Sequence, residues 1–140
     1  MIDTISKRIT SHNGQTLVEL AIILPLLFIL IFGIIEFGRY MYMKNSVTNA
    51  AREGARKAAV TKNPWSETTV RDYVISVSSL PLTTQNITIE TIPAASPTNP
   101  STNDAVIVTV RTRFSSVVPN LIPQFQNLTS IRASAAMRYE

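Results

Sequence analysis

Hydrophobic and polar positions divide this chain into stretches of different periodicity. The first thirteen residues are mostly polar, and Gly14 follows them. From Leu20 to Ile35 no residue is charged, and leucine, isoleucine and phenylalanine dominate. Leu17 to Gly38 makes about 22 residues, enough at ~1.5 Å rise each to cross a hydrocarbon layer of roughly 30 Å. Glu19 sits one turn inside that run. A carboxylate there costs on the order of 2–3 kcal/mol or less, depending on depth, so it either snorkels to the interface or has a partner.

The pattern changes after Arg39 without ending the helix. Tyr40 to Ala59 holds no proline and one glycine, and Pro64 closes the stretch. Val47, Ala51, Ala55 and Ala58 fall at i, i+4, i+8 and i+11, widened by Ala50, Gly54 and Ala59. Arg52, Glu53, Arg56 and Lys57 take the other side. This is an amphipathic helix whose inner stripe is made of small residues, which lets another element come close. Joined to the apolar run it predicts one helix from about Thr16 to about Thr61, with Pro25 removing a backbone donor and kinking it early.

Past Pro64 shorter periods take over. Ser66 is placed to cap a helix from Glu67 to Ser79, with Val70, Tyr73, Val74, Val77 and Leu80 at helical spacing and Pro81 beyond its end. Ile87, Ile89 and Thr91 alternate with polar residues, as in a strand. Pro93 to Asp104 is a loop rich in proline, serine and asparagine, and Asn103-Asp104 reads as a turn. From Ala105 to Phe114 the alternation is clean. Val106, Val108, Val110, Thr112 and Phe114 share one face; Ile107, Thr109, Arg111 and Arg113 share the other. Val118 to Phe125, broken by Pro119 and Pro123, reads as a loop with a helical turn. A last strand carries Thr129, Ile131, Ala133, Ala135 and Met137 in alternation with Arg132 and Arg138. The expected fold is α+β: a long N-terminal transmembrane helix continuing into a small domain with a second helix and a three-stranded antiparallel sheet packed on the alanine stripe. The organisation expected is a leader over 1–14, the long helix over 15–62 and the small domain over 63–140.

Composition narrows the function. The chain has 140 residues, a formal charge of +4 and a pI near 9.8. Its basic residues are spread out, without the aromatic interleaving of a nucleic-acid surface, so no nucleic-acid partner is expected. There is no cysteine, hence no disulfide and no thiolate metal site, and the single histidine, His12, lies in the polar leader. Acidic residues of the domain fall on separate elements, and neither a nucleophile elbow nor a phosphate loop occurs. No enzymatic activity and no cofactor are expected. A cleaved secretory signal fits poorly, because the apolar run exceeds the usual ~7–15 residues and Glu36-Phe37-Gly38-Arg39 follows it in place of a small-residue cleavage site. Orientation is contested by the charges. Lys7 and Arg8 precede the run, whereas Arg39, Lys44, Arg52, Arg56 and Lys57 follow it, and a plain count places the following side in the cytoplasm.

Gly14-Gln15-Thr16-Leu17-Val18-Glu19 resembles the processing site of type IV pilins and pseudopilins. More specifically, Ala21-Ile22-Ile23-Leu24-Pro25, Gly33-Ile34-Ile35-Glu36-Phe37-Gly38-Arg39 and Asn49-Ala50-Ala51-Arg52-Glu53-Gly54-Ala55-Arg56 resemble the TadE-like family of pilin-like proteins of Tad (tight adherence, Flp pilus) systems. The resemblance covers about residues 14–60, with a family-like terminal stretch from Ala133 to Glu140. Gln15 stands where pilins commonly carry phenylalanine or methionine. The resemblance implies cleavage by a prepilin peptidase between Gly14 and Gln15. It also implies a single-pass protein of the cytoplasmic membrane with a cytoplasmic N-terminus and an exported domain. Its implied partners are other pilin-like subunits and Tad inner-membrane assembly proteins, with Glu19, Pro25, Glu36 and Arg39 serving assembly. In that setting the freed Gln15 amine meets the Glu19 carboxylate of a neighbouring subunit, an unpaired buried charge being expensive. Glu36 is in reach of Arg39 and Tyr40 as an interfacial ion pair. Two other classes stay open on residues alone: a single-pass anchored ligand- or surface-binding protein unrelated to pili, and a membrane-tethered enzyme.

Overall fold

The computed structural model describes residues 12–61, 65–92, 104–116 and 130–139. The expected loops over 93–103 and 118–125, the closing Pro64, and Thr129 lie outside them. The chain forms two compact units, Met1–Ile35 and Glu36–Glu140.

Helix α1 spans His12–Val60, 49 residues with Pro25 inside it. In the first unit it has nothing to bury. Leu17, Ile22, Leu26 and Ile34 are 65–72% exposed (66%, 72%, 68% and 65%), and no other large apolar residue from Val18 to Ile35 is buried. Contiguous apolar area of this kind is unfavourable in water and marks a face that meets a membrane or a partner.

In the second unit α1 is packed. Val47, Ala51, Ala55 and Ala58 are fully buried, together with Val70 and Val74 of helix α2 (Glu67–Val77). A 3-10 turn at Thr84–Asn86 leads into strand β1 (Ile87–Ile92), followed by β2 (Ala105–Arg113) and β3 (Ser130–Arg138). The sheet is antiparallel in the order β1-β2-β3, the expected meander. Alternation chooses its faces: Ile87, Ile89, Val106, Val108, Val110 and Ile131 are buried on the α1 side, and Thr88, Glu90, Arg111 and Arg132 are exposed on the other.

The small-residue stripe acts as contact surface. At Gly54 a Cβ atom would lie 2.5 Å from Val74 Cγ2 and 3.0 Å from Val108 Cγ1, so only glycine lets α1 approach α2 and β2 this closely. Helix α2 starts on Ser66, whose side chain accepts from the Thr69 N–H. It stops two residues earlier than the periodicity suggests. Ser78 is extended (φ −77°, ψ 134°) and its side chain accepts from the Leu80 N–H, a local bond that competes with another helical turn. Arg71 ties α2 to the sheet, donating to the Thr84 and Ile87 carbonyls at 2.7 Å each and pairing with Glu67.

Strand β2 runs antiparallel to α1. At its start Tyr139 closes the C-terminal end of α1: its hydroxyl donates to the Thr61 carbonyl (2.9 Å) and its N–H to the Asp104 carbonyl (2.8 Å). Asp104, read from sequence as part of an exposed turn, is buried there. The Trp65 indole donates to the Ala58 carbonyl (3.2 Å) and caps the same end.

Candidate membrane and assembly segment

The residues singled out by sequence fall on α1, in two different environments. Gly14 and Gln15 lie in its first turns and are exposed, and the Gly14–Gln15 bond is helical. Gln15 Nε2 donates to Glu19 Oε1 at 3.2 Å, one turn on. The amide is a neutral donor, and among the described residues no cation pairs with Glu19. Pro25, also exposed, leaves the Ala21 carbonyl without its helical donor. No group of three metal-ligating side chains occurs among the described residues.

Glu36 is placed very differently. It is 1% exposed, as buried as the valines of the core. Arg39 Nη1 donates to its Oε2 at 2.9 Å, the i,i+3 pair expected from sequence. The burial was not expected, and the arginine that pairs with Glu36 is itself held by residues far away in the chain. Phe114, directly after β2, packs edge to face on Tyr40 at 5.6 Å and lies 5.7 Å from the Arg39 guanidinium. Arg39 Nη2 reaches the Ser115 carbonyl at 3.4 Å. One arginine therefore spans a carboxylate, an aromatic face and a backbone acceptor, a use suited to its planar fork. Phe114 and Ser115 are the members of this site that sequence reading missed. The alternation of β2 had put Phe114 on the inner face, but nothing local says which part of α1 it meets.

The arrangement is structural in its chemistry. A buried carboxylate needs its hydrogen-bonding positions satisfied, and Arg39, itself half-exposed, supplies the compensating charge. No buried side-chain polar atom lacks a partner among the described residues. The pair fixes the end of β2 against α1 at the residue where the uncharged run stops.

The first half of α1 is long and apolar enough to cross a membrane, and none of its most apolar window is buried. That window, Glu19 and the Glu36–Arg39 pair all lie inside one stretch of known sequence. Residues 14–56 match the TadE-like protein family. The TadE-like segment starts at Gly14 and ends just beyond Gly54, so it holds the exposed apolar helix, the Glu36–Arg39 pair and the close packing at Gly54. It ties the chain to Tad pilus systems and to a membrane. Helix α2 and the three strands lie outside the match. The chain matches no curated protein and no solved structure.

Proposed function

We propose that the protein is a minor pilin-like, non-enzymatic assembly component of a Tad-type pilus or secretion apparatus, related to the pseudopilins and serving adhesion. A prepilin peptidase cuts after Gly14 on the cytoplasmic side, and the domain of residues 63–140 is exported. The new Gln15 amine then meets the Glu19 carboxylate of a neighbouring pilin-like subunit within a helix bundle. The observation that carries this reading is the lone carboxylate on an entirely exposed apolar helix, in a segment matched from Gly14 onward. Glu19 has only a neutral amide beside it, and a charge in that medium favours a cationic partner. Glu36, by contrast, is held inside its own domain, so the two glutamates divide between assembly and architecture.

Mass spectrometry of membrane-extracted protein, with and without a prepilin peptidase, tests the first step. The mature chain should begin at Gln15 only when the peptidase is present, and Gly14→Val should leave the uncut form. A peptidase-bearing cell that retains Met1 would overturn the proposal. A reporter fused after Glu140 should be active outside the cytoplasm; activity only inside would vindicate the basic-residue count instead.

A further inference from the structure

The two edges of the sheet differ in charge. Strand β3 is an outer strand of the order β1-β2-β3, and its nine residues pair with β2 in one unbroken register. It holds no proline and no glycine. Exposed strand edges are templates for another strand, and proteins usually blunt them with bulges, prolines or short lengths. Among the described residues no backbone group bonds the outer side of β3. Past Ile131 its inward residues are also thinly covered. Val106, Val108 and Val110 of β2 are fully buried, whereas Ala133 and Ala135 are half-buried and Met137 is 38% exposed. The core runs out under this edge.

Charge says what fits there. The charged residues of β3 are Arg132 and Arg138, and that of β1, at the opposite edge, is Glu90. All three are exposed, and among the described residues none of them has an ion-pair partner. A contact between the β3 strands of two copies sets arginine near arginine with no carboxylate. One between β1 strands sets Glu90 near Glu90 with no cation. Unlike edges bring opposite charges together, which stabilises strand pairing where like charges weaken it. The side-chain pattern fits as well. Both β1 and β3 are antiparallel to β2, so two copies in one orientation join them as a parallel pair. Thr88, Glu90 and Ile92 then face outward beside Ser134, Ala136 and Arg138, while Ile89 and Thr91 fall on the inward side beside Ala135 and Met137. The small Ala136 opposite Glu90 leaves the carboxylate room to reach Arg138 on the diagonal. Arg71 already holds the Ile87 carbonyl, which centres the contact on Glu90 rather than on the start of β1.

We propose that the β3 edge of one copy receives the Thr88–Ile92 stretch of β1 from a second copy, with Glu90 against Arg138. The contact uses a different surface on each side, so it repeats from copy to copy. It goes beyond the Glu19 pairing and does not rest on it. The chain has no cysteine, so Thr88→Cys in one copy and Ser134→Cys in another place a single thiol at each edge. Full-length chains with tags of different size are mixed in detergent and treated with a short bis-maleimide. The mixed cross-link should form in preference to either same-edge cross-link, and added salt should reduce it. Adding Arg138→Glu to the Ser134→Cys copy, or Glu90→Arg to the Thr88→Cys copy, should lower the mixed product about two- to fivefold. Both reversals together restore opposite charges and should restore the product, which a misfolded variant would not do. Absence of mixed product, same-edge products of equal yield, or indifference to the single reversals overturns the proposal. Loss of the mixed product on Glu19→Ala, with the reversals inert, also overturns it and leaves the Glu19 reading standing. A charge-dependent product that withstands Glu19→Ala supports the edge contact, whatever the assembly assays show for Glu19.

Discussion

The two halves of α1 are built from one unbroken helix and answer to different solvents. Before Glu36, side chains are large and nearly all exposed; from Val47 onward, the inner stripe is valine, alanine and glycine and is fully buried. Large side chains suit a surface that meets lipid, where area is favourable and no shape need be matched. Small ones suit a surface that meets a sheet, because stabilisation there depends on close approach at high packing density. The same residue type consequently means different things in each half. Glu19 is exposed with a neutral neighbour, whereas Glu36 is enclosed with a cation. Gly54 has no room for a methyl group, whereas a Cβ at Gly38 meets nothing within 4 Å.

Substitutions that exchange these roles should separate the halves. The largest effect is expected for Arg39→Ala, which leaves the Glu36 carboxylate buried without its cation. Domain stability should fall by about 2–3 kcal/mol, read as a lowered Tm of detergent-solubilised protein, the half-exposed guanidinium being partly screened by solvent and the lost Phe114 contacts included. A loss under ~1 kcal/mol would mean that Glu36 is not held as described. Next comes Gly54→Ala. The methyl group meets Val74 and Val108, and overpacking of about 1–3 kcal/mol should outweigh the helix propensity gained by replacing glycine. Gly38→Ala should go the other way, stabilising by roughly 0.5–1 kcal/mol, because it gains propensity at no steric cost. If both glycine variants shift Tm in one direction, the packing contrast is not what distinguishes them. The smallest effect on stability belongs to Glu19→Ala, within about 0.5 kcal/mol, as for an exposed side chain away from the core. Its consequence should be found in assembly: co-purification with pilus partners and surface pili should be lost at matched membrane levels. Unimpaired assembly would leave the inter-subunit charge pair without support.

Periodicity made much of this architecture legible. The uncharged run, the alanine stripe and the alternation in β1, β2 and β3 each state a burial pattern directly, because period and face are local properties. The antiparallel meander followed from element order and loop lengths. What stayed hidden depends on contacts between residues distant in the chain. The Glu36–Arg39 pair is visible in sequence as an i,i+3 neighbour relation, but the contacts of Arg39 with Phe114 and with Ser115, 76 positions away, are not. Asp104 looked like a turn residue for its composition, yet it is buried and its carbonyl accepts from the N–H of Tyr139, at the far end of the domain's sequence. Gly54 read as one more small residue; that it has no room for a side chain is set by two valines on other elements.

The bond between Tyr139 and Thr61 joins groups 78 positions apart, and β3 is synthesised after every other described element. The amphipathic half of α1 is therefore made long before the strands that cover it. Closing so wide a loop must precede the contacts that reward it, which makes the domain a slow folder compared with a bundle of local contacts. Until β2 and β3 arrive, Ala51, Ala55 and Ala58 lack much of the core that covers them. Any factor that tends the nascent chain has its longest task there, between the completion of the helix and the arrival of the last strand.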